Sequence, residues 1–391
     1  MFISVYAIAK NEEALCERWY NCFKEADEVC VLVNNSTDNT AEKLRSLGAH
    51  VAEKDYPHFR FDVARNDAMK LCSPKADLLF SCDFDDVIEA GWRKKVEHAW
   101  KLGVATGKNP NSILFTYSVF YGDDRPKQSF VRHSIHTPNG WYWKSRIHEY
   151  LEHRTRKEYI FYPKFEMVSK PIRAEHGSYL PLLEEECRDP NCEARSIHLL
   201  AREYLINKRY EDAIEGFERY LSHPGAVWNS ERGAAMKFLS QCYGALGFKN
   251  AEELWLWKSM VENPKDRDAP FNLGNLLLLK KQYRIAKGVL ERCCAIQEPE
   301  LDYPYFTLEA WTERPFLMLA EAKFYCGDWD GAEKSIEKAL TKNPNSELAK
   351  KMKQEIKRNR DEGRRPNLPP PEVPRGRIEI PELIQPTPLP S

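Results

Sequence analysis

The sequence predicts an α/β domain built around a mostly parallel sheet, followed by an all-α helical-repeat domain. Three observations lead there. Strand-like apolar runs alternate with helix-like runs over the first 100 residues. A recurring aromatic–alanine pattern takes over after about residue 190. A closing stretch from Gly363 holds nine prolines in 29 residues and is unable to pack a core. The expected boundaries are 1–185, 190–358 and a flexible tail at 363–391. A chain of 391 residues is too long for one ordinary core, which fits two domains.

In order along the chain, "FISVYAIA" (2–9) reads as a buried strand, and "NEEALCERWYNCFKEA" (11–26) carries helical spacing at Leu15, Trp19, Cys22 and Phe23. "EVCVLVN" (28–34) is a second strand. "NNSTDNTAEKLRSLG" then supplies capping residues, a short helix and a stop at Gly48. "AHVAE" (49–53) is a third strand, "FRFDVARNDAMKLC" (59–72) a helix and "ADLLFSC" (76–82) a fourth strand. Such alternation implies right-handed crossovers, and ligands of such sheets collect at the carboxyl ends of strands. From about 112 to 170 the pattern changes to short aromatic-rich strands, "SILFTYSVFYG", "QSFVRHSI", "GWYWKSRIHEYLEH" and "EYIFYP", which predicts an antiparallel extension.

In the helical half the pairs Tyr210/Ala213, Phe248/Ala251, Tyr283/Ala286 and Trp329/Ala332 recur, with alanine spacings of 38, 35 and 46 residues. A bulky residue follows each alanine by four: Phe217, Trp255, Leu290 and Ile336. The alanine lets two helices approach and the aromatics fill the gap between pairs. This half resembles the tetratricopeptide repeat, most clearly in "YEDAIEGFERYL" and "GDWDGAEKSIEKALTKNP". Concave faces of such arrays hold peptides or dimerise chains, so a homodimer through the repeats is compatible with them.

Bulk composition narrows the function. Lys+Arg (58) nearly cancel Asp+Glu (59), so no global field draws the chain to nucleic acid or membrane. No apolar run approaches a membrane span, and "MFISVYAIAKNEE" reads as a strand and not a signal peptide. The eleven cysteines are odd in number and form no C-x-x-C; Cys187 and Cys192 come nearest to a metal-like spacing, with no second pair to match. The expectation is a reduced, cytoplasmic chain.

The chemistry concentrates in "LLFSCDFDDVIE" (78–89), where an apolar strand runs into Asp83, Asp85 and Asp86. Alternation along a strand lets Asp83 and Asp85 point the same way while Asp86 turns aside. Two carboxylates at a strand's carboxyl end suit Mg²⁺ or Mn²⁺, which take one or two carboxylates and complete their shell with water and a diphosphate. The ordinary alternative is a solvated acidic turn ahead of the helix "EAGWRKKVEHAW".

The ordered set "AIAKNEE", "NNSTDNT", "FDVARNDA", "LLFSCDFDD" and "RIHEYLEH" resembles family 2 glycosyltransferases, in particular the bacterial branch with tetratricopeptide helices behind the catalytic domain. The resemblance covers residues 1 to 180 for the transferase. It implies the GT-A fold, a Rossmann-like domain that binds a nucleotide sugar. It implies that Ala7, Ala9, Asn11 and Glu12 line the nucleotide pocket, and that Arg65 approaches the base or diphosphate. Asp83 and Asp85 become the Asp-x-Asp pair, Asp83 bridging ribose and metal. His176 completes the metal shell, Glu149 is the catalytic base, and His148 hydrogen-bonds the diphosphate or the backbone. The family's second strand usually ends in an aspartate that binds the nucleobase. Val33 stands there instead, so Asn34 or Asn35 would meet a uracil edge.

Each assignment has a plainer competitor. Arg65 could pair with Asp62 or Asp67, Glu149 with Arg146 or Arg154, and His176 could be a buried or capping histidine. Trp141 and Trp143 could stack on a sugar but fit core packing better. Two other functions compete as well. "DFDDV" with "YGDD" (121–124) imitates a haloacid-dehalogenase-like phosphatase, in which the first aspartate attacks phosphorus. That motif normally ends the first strand of its sheet, whereas three strand candidates precede it here. A non-catalytic repeat scaffold with a degenerate transferase domain is the other. The reading carried forward is a metal-dependent, inverting glycosyltransferase using a nucleoside diphosphate sugar, with a uridine donor expected. A peptide or protein, a glycan and a modified nucleobase remain open as acceptors.

Overall fold

The computed structural model describes residues 1–107, 109–120, 128–170, 179–297 and 307–363. His176, the 121–124 acidic stretch and the proline-rich tail beyond Gly363 lie outside the described residues. The chain divides into two compact units, the second beginning at Tyr179.

The first unit opens with β1 (Ile3–Ala9), α1 (Cys16–Phe23), β2 (Glu28–Val33), α2 (Thr40–Leu47), β3 (His50–Glu53), α3 (Phe61–Met69) and β4 (Leu78–Ser81). It continues through β5 (Asp86–Ile88), α4 (Trp92–Ala105), β6 (Ser112–Val119), β7 (Gln128–His136), β8 (Trp141–Lys144), β9 (Tyr150–His153) and β10 (Tyr159–Ser169). Strand order in the main sheet is β3-β2-β1-β4-β7-β6-β10-β5, and β8 and β9 form a separate hairpin. The first four strands run parallel, as their helical connections require. Gly48 ends α2 at φ 104°, a left-handed backbone, and a Cβ there would lie 2.9 Å from Tyr20 Oη.

The aromatic extension differs from expectation in two respects. β7 runs antiparallel to β4 and β6, but β10 returns parallel to β6. "GWYWKSRIHEYLEH" is no single strand but the β8–β9 hairpin, with residues 145–149 in its turn.

Two apolar layers flank the sheet. On one face Ile3, Val5, Ala7 and Ala9 pack with Val29, Val31, Trp19, Phe23, Trp92 and Val96. On the other, Tyr6, Cys30 and Leu32 meet Ala64 and Ala68 of α3 and Trp141, Trp143 and Leu151 of the hairpin. Burial of both faces explains why these strands read as continuous apolar runs.

The second unit is helical. It comprises α5 (Leu180–Glu186), α6 (Ala194–Ile206), α7 (Tyr210–Ser222), α8 (Asn229–Ala245), α9 (Lys249–Glu262), α10 (Asp268–Leu279) and α11 (Tyr283–Ala295). It closes with α12 (Arg314–Tyr325), α13 (Trp329–Lys342) and α14 (Glu347–Asp361). Tyr210, Phe248, Tyr283 and Trp329 sit at or just before the starts of α7, α9, α11 and α13, so the recurrence marks the second helix of each pair. Ala213, Ala286 and Ala332 are fully buried, as are Phe217, Leu290 and Ile336. Ala251 and Trp255 depart from that pattern and are not fully buried. Close approach is visible at Gly274, where a Cβ would stand 2.4 Å from a Leu290 methyl. Among the described residues no helix is long and apolar enough to cross a membrane.

Candidate functional site

β4 stops at Ser81, and Asp83 and Asp85 fall in the turn that follows, not on the strand. Phe84 between them is buried and stacks on Trp19, ring centroids 4.5 Å apart. That anchor fixes the turn by its apolar residue. Asp86 does not turn aside as expected: it opens β5, is fully buried, and one oxygen from each of the three aspartates lies within 4.8 Å of the others.

Two arginines supply the positive charge that such crowding requires. Arg65, on α3, donates to Asp83 Oδ1 at 2.6 Å and to Ser81 Oγ at 3.2 Å, and its Nε meets Glu149 Oε1. It pairs with neither Asp62 nor Asp67, and its guanidinium lies 4.9 Å from the Trp143 ring. Arg132, on β7, donates to Asp83 Oδ2 at 2.8 Å and to both Asp86 oxygens at 3.2 Å. Tyr117 Oη adds a 2.6 Å bond to Asp86 Oδ1, and the Asp83 amide donates to Asp86 Oδ2 at 2.8 Å. Arg132 was not singled out in the sequence. The available signal was the single arginine in the strand QSFVRHSIH, which has to find a partner once buried.

Glu149 is buried and its ion-pair partner is Arg65. The turn that carries it holds Ser145 at φ 84° and His148 at φ 53°, left-handed values rare for residues with a Cβ. Hydrogen bonds from Ser145 Oγ to Ile147 O (2.8 Å) and from Phe61 N to Arg146 O (3.1 Å) hold that turn. His148 is buried next to Glu149.

The electrostatics divide the acids. Burial works to raise Asp83, but Arg65 and Arg132 outweigh it and hold the group well below the carboxylate range. Burial and the charge of Asp83 raise Asp85, whose Oδ2 accepts from Ser169 Oγ. Burial pushes Asp86 up to about 7 against the pull of Arg132. Burial also raises Glu149, with Arg65 opposing. Asp83 keeps 27% of its side chain exposed. A magnesium or manganese ion fits this set through Asp85 and the remaining lone pairs of Asp83, the hard oxygen donors such ions take.

At the end of β1 one correction is needed. The Ala7 and Ala9 methyls lie in the core, so at those positions the backbone, and not the side chain, can reach a nucleotide. Asn11 braces the neighbouring loop: its amide donates to Ser36 Oγ at 3.0 Å and its Oδ1 accepts from Thr37 N at 2.8 Å. The Glu12 amide donates to Thr40 Oγ1 at 2.8 Å. Asn34 is buried just past β2, and its Oδ1 has no hydrogen-bond partner among the described residues. Asn35 is exposed at φ 46°, with Oδ1 accepting from Tyr56 N at 3.3 Å. Trp141 and Trp143 are buried, and Trp143 Nε1 donates to Tyr6 Oη at 2.8 Å, which favours packing over sugar stacking.

Residues 4–163 match the family model described as glycosyl transferase family 2. The N-terminal region therefore carries a family 2 glycosyltransferase domain. Similar proteins include an uncharacterized glycosyltransferase of Rickettsia bellii (strain RML369-C), 35% identical over 97 residues, or 25% of this chain and 32% of that protein. Another, from Rickettsia prowazekii (strain Madrid E), is 29% identical over 131 residues, 32% of this chain and 41% of that protein. The chain thus spans well under half the length of these relatives. Solved structures similar to part of it include MamA 41-end from Desulfovibrio magneticus RS-1, 17% identical with a TM-score of 0.34, covering 43% of this chain and 85% of that one. YrrB, described as a TPR protein with an unusual peptide-binding site, is 16% identical with a TM-score of 0.34, covering 45% and 81%.

Proposed function

We propose that this protein is a divalent-metal-dependent, inverting glycosyltransferase that moves a hexose-type sugar from a uridine diphosphate donor to an acceptor nucleophile. One observation carries the reading: the Arg65 guanidinium joins Asp83, in the turn after β4, to Glu149, which lies 84 positions from that arginine in sequence. A structural ion pair would need one acid. Here a single cation holds two acids from separate elements at the carboxyl ends of the parallel strands, where ligands of such sheets bind.

The roles follow from the chemistry of the groups. Asp83 and Asp85 would hold Mg²⁺ or Mn²⁺, which supplies charge stabilisation for the departing diphosphate. Asn34 Oδ1, a buried acceptor without a partner, suits the N3–H of uracil. Glu149 takes the proton of the acceptor as the new glycosidic bond forms and the bond to the diphosphate breaks. Burial favours that role by raising its basicity, and Arg65 fixes its orientation.

A second reading rests on the arginines themselves. Both oxygens of Asp83 already accept from guanidinium groups. Transfer could then rely on Arg65 and Arg132 in place of a metal. Incubation with a panel of nucleotide sugars, with Mn²⁺ or with chelator, separates the two. The expected result is release of uridine diphosphate from at least one uridine sugar, lost on chelation. Equal release under chelation supports the arginine reading, and no release from any donor overturns both.

A further inference from the structure

We propose that Glu28, Cys30 and His50 form a zinc site at the opposite end of the parallel strands from the carboxylate cluster. The placement follows from strand geometry. Cys30 on β2 lies directly across from His50 on β3 in the parallel register, and Glu28 is two residues before Cys30. With a period of two, all three side chains share one face. Their ligand atoms lie within 4.8 Å of one another, and Cys30 Sγ is 3.9 Å from His50 Nδ1.

Those separations are close to what zinc demands. Bond lengths of about 2.3 Å to sulfur and about 2.0–2.2 Å to nitrogen or oxygen place tetrahedral ligands roughly 3.5 Å apart. The Cys30–His50 pair has to contract by about 0.4 Å and the widest pair by up to about 1.3 Å. Three protein ligands leave the fourth tetrahedral position to a water molecule.

The surroundings are built for this. Glu28 Oε2 accepts from Ser4 Oγ and from Ser73 N, both at 2.7 Å, which orients the carboxylate and leaves Oε1 for a metal. Such outer bonds are what hold metal ligands in place. Among the described residues no lysine or arginine forms an ion pair with Glu28, in contrast to the arginine-filled aspartate cluster. His50 is exposed, giving an ion a way in, while Cys30 is buried. Sulfur and imidazole select zinc over the magnesium or manganese that suit three aspartates. Cys30 also packs near Ala64 and Ala68, but packing alone asks for neither a carboxylate nor an imidazole across the strand.

The test loads the full chain with zinc alone and measures bound metal by elemental analysis, then titrates Co²⁺ and follows the thiolate-to-cobalt band. Wild type should retain a single equivalent of zinc and show the band, and Asp85→Asn should behave the same, separating this site from the other. His50→Ala, an exposed position that should fold normally, should weaken cobalt binding by more than about tenfold. Cys30→Ser should abolish the band; if that variant fails to fold, Glu28→Gln takes its place and should weaken binding as His50→Ala does. Absence of the band in wild type, or unchanged cobalt affinity in His50→Ala, would overturn the site.

Discussion

In the sheet unit Arg65 and Arg132 face Asp83, Asp85, Asp86 and Glu149; in the helical unit Lys237 faces Asp266 and Asp268. Both networks are buried and both hold more acid than paired base. They differ in access to solvent. Asp268 Oδ2 accepts from Lys237 Nζ at 2.8 Å, Thr307 N at 2.7 Å and Thr307 Oγ1 at 2.8 Å, and the Asp268 amide donates to Asp266 Oδ1 at 2.9 Å. Lys237 and Asp268 expose 3% and 0% of their side chains, against 27% for Asp83. A network sealed from solvent contributes to structure, even with Asp266 Oδ2 and Asp268 Oδ1 lacking partners among the described residues. One left part-open to solvent at Asp83 can be reached by a ligand.

Substitutions can break that distinction. The largest effect is expected at Glu149→Gln, which keeps shape but removes the base. Turnover should fall between about a hundredfold and ten-thousandfold while nucleotide binding stays nearly intact, as steady-state rates and calorimetry would measure. Unchanged turnover would return Glu149 to a structural ion pair with Arg65.

Next come the cations. Lys237→Met leaves Asp268 without its buried partner and should cost about 3–5 kcal/mol of stability, read from the denaturation midpoint, with turnover per folded molecule unchanged. Arg132→Met should cost stability on the same scale and also lower turnover, because Asp83 loses one of its two guanidinium groups. If the two variants behaved alike in the activity assay, the proposed division of labour would fail.

A smaller effect comes from Asp266. Burial pushes its carboxyl up to about 6 from an ordinary 3.8, with Lys237 opposing and Asp268 adding to the rise. The folded state therefore binds this proton more tightly than the unfolded one. The resulting stability is fully present below the ordinary value and is lost as pH rises through about 6, up to about 3 kcal/mol. Asp266→Asn should flatten the stability profile over that window, and an unaltered profile would contradict the assignment.

Much of this was legible in the sequence, for local reasons. The alternation of apolar strands and helices, the Gly48 stop and the recurring buried alanines depend on neighbours a few residues away. Asp83, Asp85, Arg65 and Glu149 could be nominated one by one from their motifs. Their pairing could not, because Arg65 and Glu149 meet only after the hairpin β8–β9 packs on α3. Asp86 was misplaced because the strand ends at Ser81, so alternation no longer governs the three aspartates. Arg132 lies on a strand read for its aromatics, and its partner is 49 positions away. The parallel return of β10 beside β6 was hidden for the same reason: pairing between distant strands leaves no local periodicity.

The proposed function requires the aspartate turn after β4 to be an open cation site completed by a diphosphate. Manganese binding with and without uridine diphosphate, in wild type and in Asp85→Asn, tests it most directly. The nucleotide should tighten manganese binding at least about tenfold in wild type and not in the variant. The same affinity in both proteins, with or without nucleotide, would contradict it.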